Sequence, residues 1–223
     1  MRIYCDFDGT IARCDVTDLV LATFALPDWE TLEGKWRRGE IDAAACMAGQ
    51  IALLRCDRAA LDHLLDTVEI DPGFTDFSRW ARRLDIPLTI VSDGVDYFIH
   101  RILARHGLDG IPVFANALAW ADGLPALHHP WRVAACTSGN GVCKCAIAKA
   151  KRGPSVYVGD GRSDECVALK VDLLFAKDGL AAFCRARALP FASFNTFHEV
   201  RRALADLVLA ASTSEPGVDF AGA

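Results

Sequence analysis

Short apolar runs bounded by turn residues recur along the chain, at Ile3 to Phe7, Pro87 to Val91, Ile111 to Ala115, Ser155 to Val158, Asp172 to Ala176 and Phe191 to Phe194. Their length and β-branched content read as buried strands, and helix-like stretches separate most of them. That alternation predicts an α/β fold with a parallel sheet covered by helices. One span breaks the rhythm. From Asp15 to about Pro72 there is no strand-like run, only helical periodicity such as Asp18, Leu19, Leu21 and Ala22 and again Ile41 to Leu54. The expected organisation is therefore a core of residues 1–14 and 73–211, a helical insertion over 15–72, and a flexible tail over 212–223. Asp71-Pro72-Gly73 marks the return to the core, and the Ala-, Ser- and Gly-rich end reads as frayed.

Composition narrows the class. The 223 residues are 52% hydrophobic and 24% charged, enough core material for one α/β unit plus an accessory piece. Formal net charge is -5, and the basic residues occur as scattered pairs such as Arg82-Arg83 and Arg201-Arg202. No basic stripe marks a nucleic-acid partner. The start, Met1-Arg2-Ile3-Tyr4-Cys5-Asp6, puts an acid where a signal peptide needs an apolar stretch, and no run is long enough to span a membrane. The expectation is a soluble cytoplasmic protein without a membrane partner. Nine cysteines at irregular spacing suit reduced thiols better than a disulfide framework.

Chemistry collects where the strands end. Asp6-Phe7-Asp8-Gly9-Thr10 follows the first strand, and alternation puts both carboxylates on one side of the backbone as it enters a Gly turn. Two acids on one edge call for a cation between them. A second strand end carries Ser92-Asp93-Gly94, and a third carries Gly159-Asp160-Gly161-Arg162-Ser163-Asp164. Lys144 lies between these two, near the start of the helix-like stretch Cys143 to Lys151. Singly, Ser92 would be a turn residue and Lys144 a solvated cation. In this order, at the carboxyl ends of strands, they can meet in one crevice.

In these motifs the chain resembles the haloacid dehalogenase superfamily, whose four motifs correspond in order to Asp6–Thr10, the Ser92 strand end, Lys144 and Gly159–Asp164. The resemblance implies a Rossmann-like core and a phosphatase acting on a small phosphorylated metabolite. It implies Asp6 as nucleophile, Asp8 as general acid and base, and Ser92, Gly94 and Lys144 as phosphate binders. Mg²⁺ would be held by Asp6, Asp8 through its backbone carbonyl, and Asp160, with Asp164 in support. A phosphomonoester dianion repels a carboxylate nucleophile unless a cation and hydrogen-bond donors offset its charge, which is what this residue set supplies.

An insertion between the first and second motifs is similar to the small helical caps of the phosphoserine phosphatase group. Within that group the chain resembles the enol-phosphate phosphatases of methionine salvage, through Phe24–Trp29, Val95–Phe98 and the cysteine-rich approach to Lys144. Two positions depart. Asp93 stands where that family usually has glycine; phosphatases of phosphoethanolamine and phosphocholine have a similar Ser-Asp pair. Asp93 would then meet a substrate ammonium or else cap a helix starting near Val95. Gln50 falls where phosphoserine phosphatases carry a cap arginine, while Asp15 matches their amine-facing acid, so phosphoserine is disfavoured. A phosphotransferase would use the same residues; a non-catalytic binding module would not need them. Cys136, Cys143 and Cys145, with His128 and His129 upstream, lack the tight pairing of structural zinc and are expected to be unligated. Among the tryptophans, Trp29 and Trp36 are the two placed to line a substrate pocket.

Overall fold

The computed structural model describes residues 1–121, 123–149 and 153–213. Seven strands form one sheet: β1 Arg2–Cys5, β2 Leu88–Val95, β3 Val113–Ala121, β4 Leu124–His128, β5 Ser155–Gly159, β6 Leu173–Ala176 and β7 Ala192–Ser193. Their spatial order is β4-β3-β2-β1-β5-β6-β7. All neighbours run parallel except the β3–β4 hairpin. From β1 the chain builds one half of the sheet through β2 and the other through β5. The strand order therefore reverses beside β1, which places a crevice at its carboxyl end.

Ten α-helices and one short 3-10 helix, Arg162–Asp164, make up the other regular elements of the described residues. Four α-helices lie between β1 and the re-entry to the core at Asp71: α1 Val16–Phe24, α2 Asp28–Arg37, α3 Ala43–Ala52 and α4 Arg58–Leu65. Three of them start on an aspartate whose side chain accepts a backbone N–H of the first turn, Asp15 from Asp18, Asp42 from Ala45 and Asp57 from Ala60. An antiparallel bridge between Ala12 and Ile70 closes the root of this excursion. Buried Asp71 then accepts from the backbone N–H groups of Gly73 and Phe197, fixing the re-entry. The remaining helices are α5 Phe74–Arg83, α6 Asp96–Arg105, α7 Lys144–Lys149, α8 Glu165–Ala168, α9 Asp178–Ala186 and α10 Phe197–Thr213.

The α/β class and the helical excursion follow the apolar pattern. Strands β1, β2, β5 and β6 bury nearly every residue, as expected of a sheet covered on both faces. On one face Phe74, Phe77 and Phe197 join α5 to α10, with the Phe74 and Phe197 rings 4.8 Å apart edge to face. Each fully buried phenylalanine contributes on the order of 1.5–3 kcal/mol. The other face packs Tyr157, Leu174, Leu180 and Cys184.

Three local expectations change. The stretch between the second motif and Lys144 contains a hairpin, β3–β4, rather than one strand and a loop. Strand β2 does not stop at Val91; it continues through Ser92-Asp93-Gly94 with a register shift against β3 between Val91 and Val95. Helix α10 continues to Thr213, past the expected start of the tail at 212, and residues 214–223 lie outside the described residues. Among the described residues no helix is long and apolar enough to cross a membrane.

Candidate active site

The first strand delivers Asp6 into the crevice and the chain then turns at Gly9, whose φ is +68°. A side chain there would also place its Cβ 2.5 Å from an Asp160 carboxylate oxygen, so the position admits only glycine. The turn brings Asp6 and Asp8 to the rim of a cavity of about 700 Å³ also lined by Ser92, Gly94 and Asp160.

Asp6 is 4% exposed. Its Oδ1 accepts from the Phe7 backbone N–H at 2.7 Å and lies 2.9 Å from the Lys144 ammonium. Burial and the Asp164 charge push its pKa well above the usual carboxylate range, with Lys144 opposing them. Asp8 Oδ1 accepts from Val16 N–H at 3.0 Å and its Oδ2 from Ser92 Oγ at 3.3 Å. Burial, reinforced by the charge of Asp15, pushes Asp8 up to about 7. The bulge in β2 aims Ser92 here and lets Gly94 N–H donate to Ser92 Oγ at 2.9 Å. A Cβ on Gly94 would come within 2.2 Å of Asp8.

Lys144 opens α7 and is fully buried. It donates to Ser163 Oγ at 2.9 Å and to Asp164 Oδ1 at 2.6 Å. Asp164, also fully buried, accepts in addition from Tyr157 OH at 2.6 Å and from the backbone N–H groups of Asp160 and Gly161 at 3.1 and 3.2 Å. Both its oxygens are thus occupied. Asp160 keeps one oxygen bonded to Thr10 Oγ1 at 2.5 Å, and burial pushes it up to about 6.

Oxygen atoms of Asp6, Asp160 and Asp164 lie within 4.8 Å of one another. Three carboxylates this close, two of them held above their ordinary pKa by burial and mutual repulsion, form a hard-oxygen donor set that a divalent cation would relieve. Both oxygens of Asp164 are taken up by hydrogen bonds, two of which brace the turn at Asp160 and Gly161.

The helical excursion supplies the opposite wall with Asp15, Asp18, Glu33, Trp36, Met47 and Gln50. No side chain of α2 is fully buried, and Glu33 and Trp36 face this wall. Gln50 is buried and donates to Glu33 Oε2 at 3.3 Å and to the Trp29 carbonyl at 3.4 Å. Trp36 lines the cavity as expected and stacks under Arg162, with the guanidinium 5.1 Å from the ring centre. Trp29 instead packs against the main hydrophobic core.

Asp93 does not cap α6. That helix begins at Asp96 with Val95 at its N-cap and no side-chain capping bond. Asp93 lines the cavity and its Oδ1 accepts from Val142 N–H at 2.9 Å, two residues before Lys144. Asn116, in β3, donates to the Asp93 carbonyl at 2.5 Å, and its Oδ1 accepts from His129 Nδ1 at 2.7 Å. Tyr157 and Asn116 carry site contacts that the motifs did not single out. Tyr157 could have been found from its strand position, two residues before Gly159, and Asn116 as a polar residue following an apolar strand run.

The fold and this constellation define a hydrolase of α/β fold with its acidic residues at the carboxyl ends of the strands. Residues 3–168 match the family model described as haloacid dehalogenase-like hydrolase. The chain belongs to that family. It is 31% identical over 205 residues to a 2-hydroxy-3-keto-5-methylthiopentenyl-1-phosphate phosphatase of Geobacillus thermodenitrificans, covering 89% of this chain and 92% of that one. A protein of the same name from Brevibacillus brevis is 30% identical over 209 residues, covering 91% and 94%. Among solved structures, a phosphoserine phosphatase captured as a phospho-aspartyl intermediate analogue superposes with a TM-score of 0.67 at 18% identity, covering 90% of this chain and 97% of that one. A probable phosphoserine phosphatase from Vibrio cholerae gives 0.74 at 18% identity, covering 95% and 66%. At such identities these structures speak to the fold alone.

Proposed function

We propose that the chain is a magnesium-dependent phosphatase that hydrolyses the enol phosphate 2-hydroxy-3-keto-5-methylthiopentenyl-1-phosphate through an aspartyl-phosphate on Asp6. The observation that carries the chemistry is the placement of Asp6 and Asp8 at one cavity rim, the first tethered to Lys144 and the second to Ser92. The relatives' shared name supports the substrate.

Asp6 Oδ1 carries the hydrogen bonds from Phe7 and Lys144, which leaves Oδ2 for attack on phosphorus. Ser92 Oγ, Gly94 N–H and the Lys144 ammonium would supply donors for the phosphoryl oxygens by giving up their present acceptors, Asp8, Ser92 Oγ and Ser163. Asp8, with a pKa near neutrality in this setting, protonates the departing oxygen and then takes a proton from the water that cleaves the aspartyl-phosphate. Asp6, Asp160 and the Asp8 backbone carbonyl would hold Mg²⁺, which neutralises phosphoryl charge when bound. The methylthio end of the substrate would meet Trp36, Cys46 and Met47 on the opposite wall.

A second reading rests on the carboxylates of that same wall. Asp15, Asp18 and Glu33 line the cavity, and burial with the charges of Asp15 and Glu33 pushes Asp18 up to about 6. A substrate ammonium would offset this repulsion, which favours a phosphoester of the phosphoethanolamine or phosphocholine kind. Comparing kcat/KM on the enol phosphate, phosphoethanolamine, phosphocholine and phosphoserine, with magnesium and with chelator, tests both. Preference for the enol phosphate by at least an order of magnitude is expected; preference for an amine-bearing ester would replace it. Product analysis with added alcohol separates hydrolysis from phosphoryl transfer.

A further inference from the structure

The cysteines flanking Lys144 are separated in sequence but not in space. The Sγ atoms of Cys136, Cys143 and Cys145 lie within 4.8 Å of one another, with Cys143 and Cys145 3.5 Å apart. Cys166, from α8 just beyond the fourth motif, is a neighbour of Cys145 that lies outside this group of three. All four are free thiols. His129, upstream of them, has its Nδ1 on Asn116 instead.

We propose that Cys136, Cys143 and Cys145 hold a structural zinc ion distinct from the carboxylate cluster, with the neighbouring Cys166 thiol moving in as its fourth ligand. Tetrahedral zinc with sulfur at about 2.3 Å separates its ligand atoms by about 3.8 Å, which the three-thiol cluster brackets. Soft sulfur donors select zinc over magnesium, just as the oxygen donors of Asp6 and Asp160 select the reverse. Cys143 is buried, whereas Cys136 and Cys145 are partly exposed, so an ion has a route of entry.

The surroundings give such an ion something to do. Between His129 and Cys143 the chain has no helix or strand, and most of its residues up to Ser138 are exposed. Long irregular segments in compact domains need a fastening, and this one has little core of its own. Yet Thr137, Ser138 and Asn140 line the cavity, and Gly139 carbonyl accepts from Ala44 N–H across to the helical wall. Zinc would fasten this segment through Cys136, the start of α7 through Cys143 and Cys145, and the fourth-motif helix through Cys166. Lys144 sits between two of the ligands, so the same ion would fix the amino end of the helix that presents it. That last consequence rests on the phosphatase reading; the metal site does not.

Elemental analysis of protein purified without chelator is expected to find one zinc per chain, released by a thiol-blocking mercurial. C136S and C145S should purify without it, C166S should hold it more weakly, and D160N should keep it in full. The metal-stripped wild type, given Co²⁺, should develop near-ultraviolet thiolate-to-cobalt bands and intense tetrahedral bands in the red, a readout that needs no variant to fold. Trypsin should cut the stripped protein at Arg132 faster than the zinc-loaded one. Folded wild type without stoichiometric zinc and without thiolate bands on cobalt addition would overturn the site. So would zinc lost in D160N but retained in C136S, or a thiol count two short under non-reducing conditions, which would mark a disulfide instead.

Discussion

Lys144 and Asp164 form an ion pair at 2.6 Å in which neither side chain is exposed. Burial works against the lysine's charge, but Asp164 and Asp6 outweigh it and hold its pKa above the ordinary lysine range. Asp164 in turn meets Tyr157 and two backbone N–H groups, so the pair is the centre of a saturated network joining α7 to the turn after β5.

Breaking it from one side should be costly. Lys144→Met removes the cation yet leaves two buried carboxylates, Asp6 and Asp164, facing one another. A loss of about 3–5 kcal/mol in urea unfolding is expected, with phosphatase turnover abolished. A stability change below about 1 kcal/mol, the usual size for an exposed pair, would show that water reaches the site.

Asp6→Asn should behave oppositely on the two axes. The amide cannot attack phosphorus, so turnover should fall below detection while the fold is kept. The carboxylate is held above its normal pKa by burial and neighbouring acids, a folded state that binds protons more tightly than the unfolded chain. Its contribution to stability is therefore lost as pH rises, and the neutral amide should unfold no more easily than wild type at neutral pH without metal. Retention of more than a few per cent of activity would remove Asp6 from its proposed role.

Asp15 lets the general acid be probed at a distance. Its negative charge is the second cause, after burial, of the raised Asp8 pKa, so removing that charge should lower it. The protonated fraction of Asp8 falls as pH climbs through its pKa, and with it the supply of the leaving-group proton. In Asp15→Asn the alkaline limb of kcat/KM should consequently move to lower pH by a few tenths of a unit. Asparagine still caps α1, so thermal stability should change little. An unmoved limb would detach Asp8 from that limb.

Much of this site was legible because its residues sit where backbone rules are strict. A strand leaving a sheet alternates its side chains and turns on glycine, which is why the strand-end positions of Asp6, Asp8 and Asp160 could be read from local pattern, while the roles expected of them came from the family resemblance. The β3–β4 hairpin was not legible. Pro125 argues against a strand in sequence, but β4 lies at the edge of the sheet, where a missing N–H is tolerated. Helix α2 lacks an apolar stripe and is held in part through its contact with α3, so Trp29 and Trp36 could not be sorted beforehand between core and cavity. The thiol cluster draws on a loop, a helix start and a separate helix, a meeting that spacing rules for paired ligands do not describe.

Asp93 has its partner in Val142, and this recasts what its carboxylate does. A negative charge beside a phosphate site is unfavourable in itself, and burial pushes its pKa up while Lys144 and the Val142 N–H pull it back. Its Oδ1 is nevertheless the acceptor for a backbone N–H two residues before Lys144. Asp93→Ala should leave that N–H without its partner and loosen the approach to α7. We expect kcat/KM to fall by roughly ten-fold, about 1–2 kcal/mol, on phosphoethanolamine and on a neutral alkyl phosphate alike. Asp93→Asn keeps an oxygen acceptor while deleting the charge, which separates the two functions. If Asp93 serves mainly to hold the loop, the asparagine variant should recover most of the activity on both substrates, and the lost repulsion should favour the dianion. If it pairs with a substrate ammonium, the same variant should lose activity on phosphoethanolamine selectively while sparing the neutral ester. Measuring both variants on both substrates therefore decides the matter, and a selective loss in Asp93→Asn would sink the loop-holding role and bring the amine-bearing substrate forward.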